Sequence, residues 1–144
     1  MNGSRRTPFQ IERARQEELP TLFALAACAF SAEPGWSERR TAATLERAHV
    51  YVAHDGARPV GYIALEVDAD GWRIEQLLVA PGHERRGIGK LLLAYAEGLA
   101  ISEHARALRI VCEERNLAAR NLYRRLGFAP VAVELFERTL PRRY

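Results

Sequence analysis

Apolar and polar positions follow two rhythms along the chain, and the switches between them mark its elements. Phe9–Arg15 (FQIERAR) alternates one for one, as a half-buried strand does. Leu19, Leu22, Phe23, Ala26, Ala27 and Phe30 then recur at helical spacing, with Pro20 tolerated in the first turn. Glu33-Pro34-Gly35 breaks that helix, and Ser37 is placed to cap a second one that runs to about Ala48. Strand rhythm returns at His49–His54 and Pro59–Val67, separated by the turn Asp55-Gly56. Asp70-Gly71 marks the next hairpin and leads into Trp72–Ala80, which stops at Pro81-Gly82. Beyond Gly87 the period is helical again, with Ile88, Leu91, Leu92, Tyr95 and Leu99 on one face. Leu108–Cys112 is a short strand, and a helix from about Asn116 to Leu126 stops at Gly127. Phe128–Val133 and Leu135–Leu140 supply the last strands. The order β-α-α-β-β-β-α-β-α-β-β predicts an α/β (α+β) fold, a mixed sheet with helices packed on it.

Composition narrows this picture. The 144 residues show no repeat, low-complexity tract or linker, so residues 1–144 are expected to form one domain. An apolar fraction of 48% and a charged fraction of 27% exclude disorder, collagen and coiled coil as whole-chain readings. The longest apolar run, Leu22–Phe30, is too short to cross a bilayer, which takes about 20 residues. Basic residues near the N-terminus have no apolar stretch behind them, so no secretory signal is expected. Cys28 and Cys112 make no metal or redox spacing. A cytoplasmic protein without metal or membrane partner is the expectation. Net charge is +3, carried almost wholly by arginine, with Lys90 as the lone lysine. That balance suits an anionic ligand. Arg85-Arg86, Arg124-Arg125 and Arg142-Arg143 are only pairs, and nucleic acid calls for a denser basic run with aromatics to stack bases.

The segment from Val79 to Lys90 (VAPGHERRGIGK) carries the chemistry. A strand runs into a glycine-containing turn that opens a helix, where backbone N–H groups lack intrahelical partners and the dipole is positive. Gly87 and Gly89 let a bulky anion approach those amides, and Arg85 and Arg86 add charge. A phosphate or pyrophosphate fits this start; a tight turn with no ligand is the competing reading. The Walker pattern fails, because Ile88 stands where its lysine belongs, and the dinucleotide pattern fails at Leu92.

A second constellation decides between these readings. Asn116, Ala119, Leu122, Tyr123, Gly127 and Phe128 match the pattern N-x-x-A-x-x-L-Y-x-x-x-G-F. Leu77-Leu78-Val79-Ala80-Pro81 followed by Glu84-Arg85-Arg86-Gly87-Ile88-Gly89 matches L-x-V-x-P and then [QR]-x-x-G-x-[GA]. Together, along almost the whole chain, they resemble the GNAT superfamily of acetyl-CoA-dependent N-acetyltransferases. The resemblance implies a largely antiparallel sheet with helices on both faces and two splayed central strands. It implies acetyl-CoA as acetyl donor and a primary amine, on a peptide or a small molecule, as acceptor. Backbone groups of Leu77, Leu78 and Val79 would meet pantetheine and the acetyl carbonyl. Arg85, Arg86, Gly87, Ile88, Gly89 and Lys90 would hold the pyrophosphate through their amides. Asn116 would bond the cofactor arm, and Tyr123 would face the sulfur. One departure is Glu84, where the family has Gln or Arg.

Acetyl transfer needs a neutral amine, a polarised carbonyl and a proton for the departing thiolate. A phenol, with a pKa about 10, is a feasible donor to a thiol of pKa about 8.5, which points to Tyr123. A tyrosine that only packs beside Leu122 is the bland alternative. For the base, period-2 alternation puts Glu75 on the face of Leu77 and Val79. The related ribosomal-protein alanine N-acetyltransferases keep a glutamate five residues before the motif Asn, where this chain has Val111; Glu113 is the second candidate and a water relay the third. Trp36 is expected to border the acceptor groove, and His49, His54, His83 and His104 show no ligand spacing. A domain that binds acyl-CoA without turnover is the alternative function. Monomer and homodimer both remain open.

Overall fold

A computed structural model describes residues 9–33, 35–68, 71–132 and 134–141. The elements follow the expected order: β1 (Phe9–Arg13), α1 (Leu19–Phe30), α2 (Glu38–Arg47), β2 (His49–Asp55), β3 (Arg58–Asp68), β4 (Gly71–Val79), α3 (Ile88–Ser102), β5 (Ala107–Val111), α4 (Leu117–Arg125), β6 (Ala129–Ala132) and β7 (Leu135–Thr139). Most ends fall within one or two residues of the sequence expectation. Pro34, Asp70, Val133 and the pair Arg142-Arg143 lie outside the described residues.

The strands form one sheet in the order β1-β2-β3-β4-β5-β7-β6. Every neighbouring pair is antiparallel except β4 and β5. A parallel pair needs a crossover, and α3 supplies it. Strand alternation divides the buried side chains between two cores. On one face Leu22 and Ala26 of α1 and Leu45 of α2 pack on Val50, Val52, Tyr62 and Leu78. On the other, α3 lies over Ile63, Leu65, Ile74, Leu108, Ile110 and Phe136, with α4 resting at its edge through Ala119, Tyr123 and Leu126.

Two local expectations change. β1 ends at Arg13, and a 3-10 turn at Gln16–Glu18 leads into α1. Glu18 drives that turn: its carboxylate accepts the Arg15 backbone N–H at 3.0 Å and the His54 Nε2 proton at 2.7 Å. Burial pushes the Glu18 carboxyl up, but these bonds and charges outweigh it and hold it below the usual range. On α3 the buried stripe is Ile88, Leu92, Leu93, Ala96 and Ala100, rotated from the expected face. The small Ala96 and Ala100 bring the helix close to the sheet, while Tyr95 turns outward against Tyr51, 5.1 Å between ring centroids.

Candidate active site

The site grows from the parting of β4 and β5. Their ladder holds Trp72–Leu108, Arg73–Arg109 and Ile74–Ile110 and then stops, although β4 runs on to Val79. On its other side β4 stays bonded to β3 through Gly61–Val79. Ala80 donates its N–H to the Val60 carbonyl at 2.8 Å. Antiparallel alternation then turns the backbone groups of Leu78 and Gln76 toward β3, and those of Leu77 and Val79 toward the parted side, where no strand meets them. Leu78 therefore departs from its expected place: its backbone is spent on β3 and its side chain lies in the α1–α2 core. The gap opens into a cleft of about 520 Å³ lined by β4, the end of β5, α4 and the α1–α2 segment.

Glu75 is a correction of a different kind. The β3–β4 register slips between Ala64–Gln76 and Leu65–Ile74, so β4 carries one extra residue there, a β-bulge. The bulge breaks the alternation on which the expected facing of Glu75 rested. Leu77 and Val79 pack on the α3 side, whereas the Glu75 carboxylate turns to the α2 side. It accepts from Arg73 Nε at 2.5 Å and lies 3.8 Å from Arg47 Nη2 at the end of α2. Beside it Gln76 accepts from the Tyr62 hydroxyl at 2.7 Å and donates to Thr41 Oγ1 at 3.3 Å. Glu75 still reaches the cleft wall, with its carboxylate held by two guanidiniums.

At the far end of β4 the chain turns into α3 through Gly87, whose φ of +82° is left-handed backbone that a side chain would strain. The first bond of the helix start runs from the Leu91 N–H to the Gly87 carbonyl at 3.0 Å, so the N–H groups of Ile88, Gly89 and Lys90 have no intrahelical partner. These amides lie at the positive end of a 15-residue helix. The departure at Glu84 is spent locally, since its Oε1 accepts the Gly82 N–H at 2.8 Å. Arg86 lies over the Phe9 ring, 4.9 Å from its centroid. Arg85 and Lys90 are exposed.

α4 brings the remaining residues. Asn116 caps it, its Oδ1 accepting the Ala119 N–H at 3.1 Å, while its Nδ2 donates to Glu33 Oε2 at 2.9 Å. Two turns on, Tyr123 lines the cleft, its ring edge-on to Phe128 and Phe136 with centroids 6.3 Å apart. Burial, then the charges of Cys112 and Glu33, push its phenol well above the usual value, so it stays protonated. On the same helix the partly buried Arg120 and the exposed Arg124 lie over the Phe136 ring at 4.9 and 5.5 Å. Glu113 and Trp36 also reach the cleft. There the α1–α2 segment crosses so near the β5–α4 loop that a Cβ on Gly35 would fall 2.5 Å from Glu113 Oε2. The sequence reading missed Glu33, Tyr62, Thr41 and Gln76. Their partners lie 14 to 83 residues away, and only the adjacent polar pair Glu75-Gln76 in β4 gave any signal.

The comparisons agree with this arrangement. The acetyltransferase (GNAT) family pattern matches residues 11–128. The streptothricin acetyltransferase of Streptomyces lavendulae is 38% identical over 85 residues, 58% of this chain and 44% of that protein, so the match spans less than half of the relative. In fold, the chain is similar to the ribosomal-protein-S18-alanine N-acetyltransferase from Escherichia coli, with a TM-score of 0.76, 20% identity, and 94% and 96% of the two chains covered. It is also similar to the PaiA N-acetyltransferase from Thermoplasma acidophilum in complex with coenzyme A, with a TM-score of 0.71, 18% identity, and 91% and 98% covered. With the parted strands, the unpaired helix start and a family match over most of its length, the chain belongs to the GNAT acetyltransferase family.

Proposed function

We propose that this chain transfers acetyl from acetyl-CoA directly to a primary amine, its 144 residues working as one domain in the cytoplasm, as a monomer or homodimer. The observation that carries the reading is the parting of β4 from β5, which leaves the backbone of Leu77 and Val79 unpaired beside Tyr123. Acetyl-CoA fits these groups: Val79 can pair with the amides of the pantetheine arm as a missing strand would, and residues 85–90 can receive the pyrophosphate. Asn116 has a donor at the cleft edge for the same arm. The thioester supplies an activated acyl group with a thiol leaving group. The Leu77 N–H polarises the carbonyl, stabilising the oxyanion that develops on attack. Tyr123 donates its phenolic proton to the departing sulfur. Burial holds the phenol neutral, so it carries a proton to give when the sulfur departs.

Glu75, engaged by Arg73 and Arg47, serves poorly as the base. Glu113, whose ion pair with the exposed Arg115 is longer at 3.2 Å, or a water it orients, takes the amine proton instead. No helix of the described residues is long and apolar enough to cross a membrane, and no cluster of three potential metal ligands occurs among them. The streptothricin relative favours a small-molecule acceptor over a protein one. Thermal shift with acetyl-CoA tests the first half of the proposal: at 100 Kd it stabilises a binder by about 2.7 kcal/mol. An amine panel read by free thiol tests the second, and thiol release with no acetylated amine contradicts it.

A further inference from the structure

The bulge in β4 needs something to fix it, because an inserted residue forfeits its ladder contacts and leaves the local backbone free to settle in more than one way. Both bulge side chains are tethered toward α2. The Glu75 tether runs to Arg73 and to the half-exposed Arg47, where water and salt screen it. The Gln76 tether is better enclosed: Gln76 itself is partly buried, but Tyr62 is fully enclosed and Thr41 is 1% exposed. It is a continuous chain, from the Tyr62 hydroxyl to Gln76 Oε1 at 2.7 Å and from Gln76 Nε2 to Thr41 Oγ1 at 3.3 Å. Phenylalanine, methionine and valine would fill the same space without desolvating any polar atom. What the polar chain adds is a single geometry, since the enclosed Tyr62 and Thr41 hydroxyls at its two ends hold the Gln76 amide in one orientation. Leu77, whose N–H faces the parted strands, is the next residue along β4.

We infer that Gln76, held between Tyr62 and Thr41, is a positioning residue that fixes the bulge so that the Leu77 N–H points at the acyl carbonyl. This rests on the proposed role of Leu77 in polarising the thioester. Displacing a catalytic donor by about 1 Å can cost on the order of a hundredfold in rate. Loosening one tether while Glu75 keeps the other should cost less. Because Thr41 also lines the cleft, α2 ties the wall of the cleft to the donor that acts on the acyl group.

The test is infrared spectroscopy of acetyl-CoA isotopically labelled at the carbonyl carbon and bound to the full-length protein, with single-turnover acetyl transfer measured in parallel. In the parent the bound carbonyl band should lie below its frequency in water. In Tyr62→Phe and Gln76→Met that lowering should shrink and the transfer rate fall by about tenfold, with the Kd for acetyl-CoA changed less than about twofold. The double variant should be no slower than the worse single one, because the two residues act as one chain. Should Gln76→Met fail to fold, Tyr62→Phe, which removes one buried oxygen, decides alone. Unchanged band and rate in Tyr62→Phe, even with a lower melting temperature, would overturn the inference and leave a packing role. A parent that binds acetyl-CoA with no lowering of the band overturns both this inference and the Leu77 role. A parent that binds no acetyl-CoA overturns the proposed function itself.

Discussion

The two halves of β4 are built to different ends. Trp72–Ile74 is bonded to strands on both sides and buries Ile74 completely. Glu75–Val79 has a partner on one side, carries a bulge, and keeps Leu77 and Val79 only partly buried. The same contrast runs across the sheet: the core under α1 and α2 is closed, while Leu117, Leu122 and Val131 at the α4–β6 edge remain exposed. A strand paired twice contributes stability and offers no backbone to a ligand. One that loses a neighbour gives up ladder bonds and gains donors and acceptors at fixed positions. Function here occupies the half that the fold leaves unfinished.

Substitutions in the two halves should therefore separate stability from activity. The largest effect is expected for Ile74→Ala, which empties a fully buried site and should lower unfolding free energy by about 2–5 kcal/mol in a denaturant titration. Leu77→Ala should cost less than half as much, and equal losses would erase the contrast. Tyr123→Phe should slow turnover about ten- to a thousandfold, roughly 1.4–4 kcal/mol of transition-state stabilisation, with little change in melting temperature. Parent-like turnover under rate-limiting chemistry would return Tyr123 to the packing role its ring contacts allow. Gly89→Val should raise the CoA dissociation constant about tenfold, near 1.4 kcal/mol, by crowding the helix-start amides. Calorimetry showing unchanged affinity in that folded variant would move the pyrophosphate elsewhere. The smallest effect belongs to Glu75→Gln: turnover within about threefold and stability within about 1 kcal/mol, as for a partly exposed ion pair. A hundredfold slower rate would make Glu75 the base after all.

Much of the molecule was legible because its signals are local. Ser37 before Glu38, Asn116 before Leu117 and Gly127 after Leu126 each mark a helix end by their own chemistry, and the structure sets all three there. The helix start at Gly87 was readable for the same reason. The facing of Glu75 was not. In Ile74-Glu75-Gln76-Leu77 two polar residues stand together where alternation allows one, but the doublet alone does not say which way each side chain turns. What holds the bulge is spread over Arg47 and Thr41 on α2, Tyr62 on β3 and Arg73 before the bulge on β4. Glu33 was hidden likewise, since its partner Asn116 lies 83 residues away. His54, which reads as an ordinary strand residue, is buried against Glu18 across 36 residues. Caps and turns are written in neighbouring residues; the shape of a cleft is written in pairs that only the folded chain brings together.

Amide hydrogen exchange along β4, with and without saturating acetyl-CoA, tests the central claim most directly. Exchange at Ile74 should be slow in both states. Leu77 and Val79 should exchange quickly in the free protein and slow at least about tenfold once the ligand supplies the missing partner. Protection of Leu77 and Val79 equal to that of Ile74 in the free protein, or exchange at them unaltered by acetyl-CoA, would contradict the account.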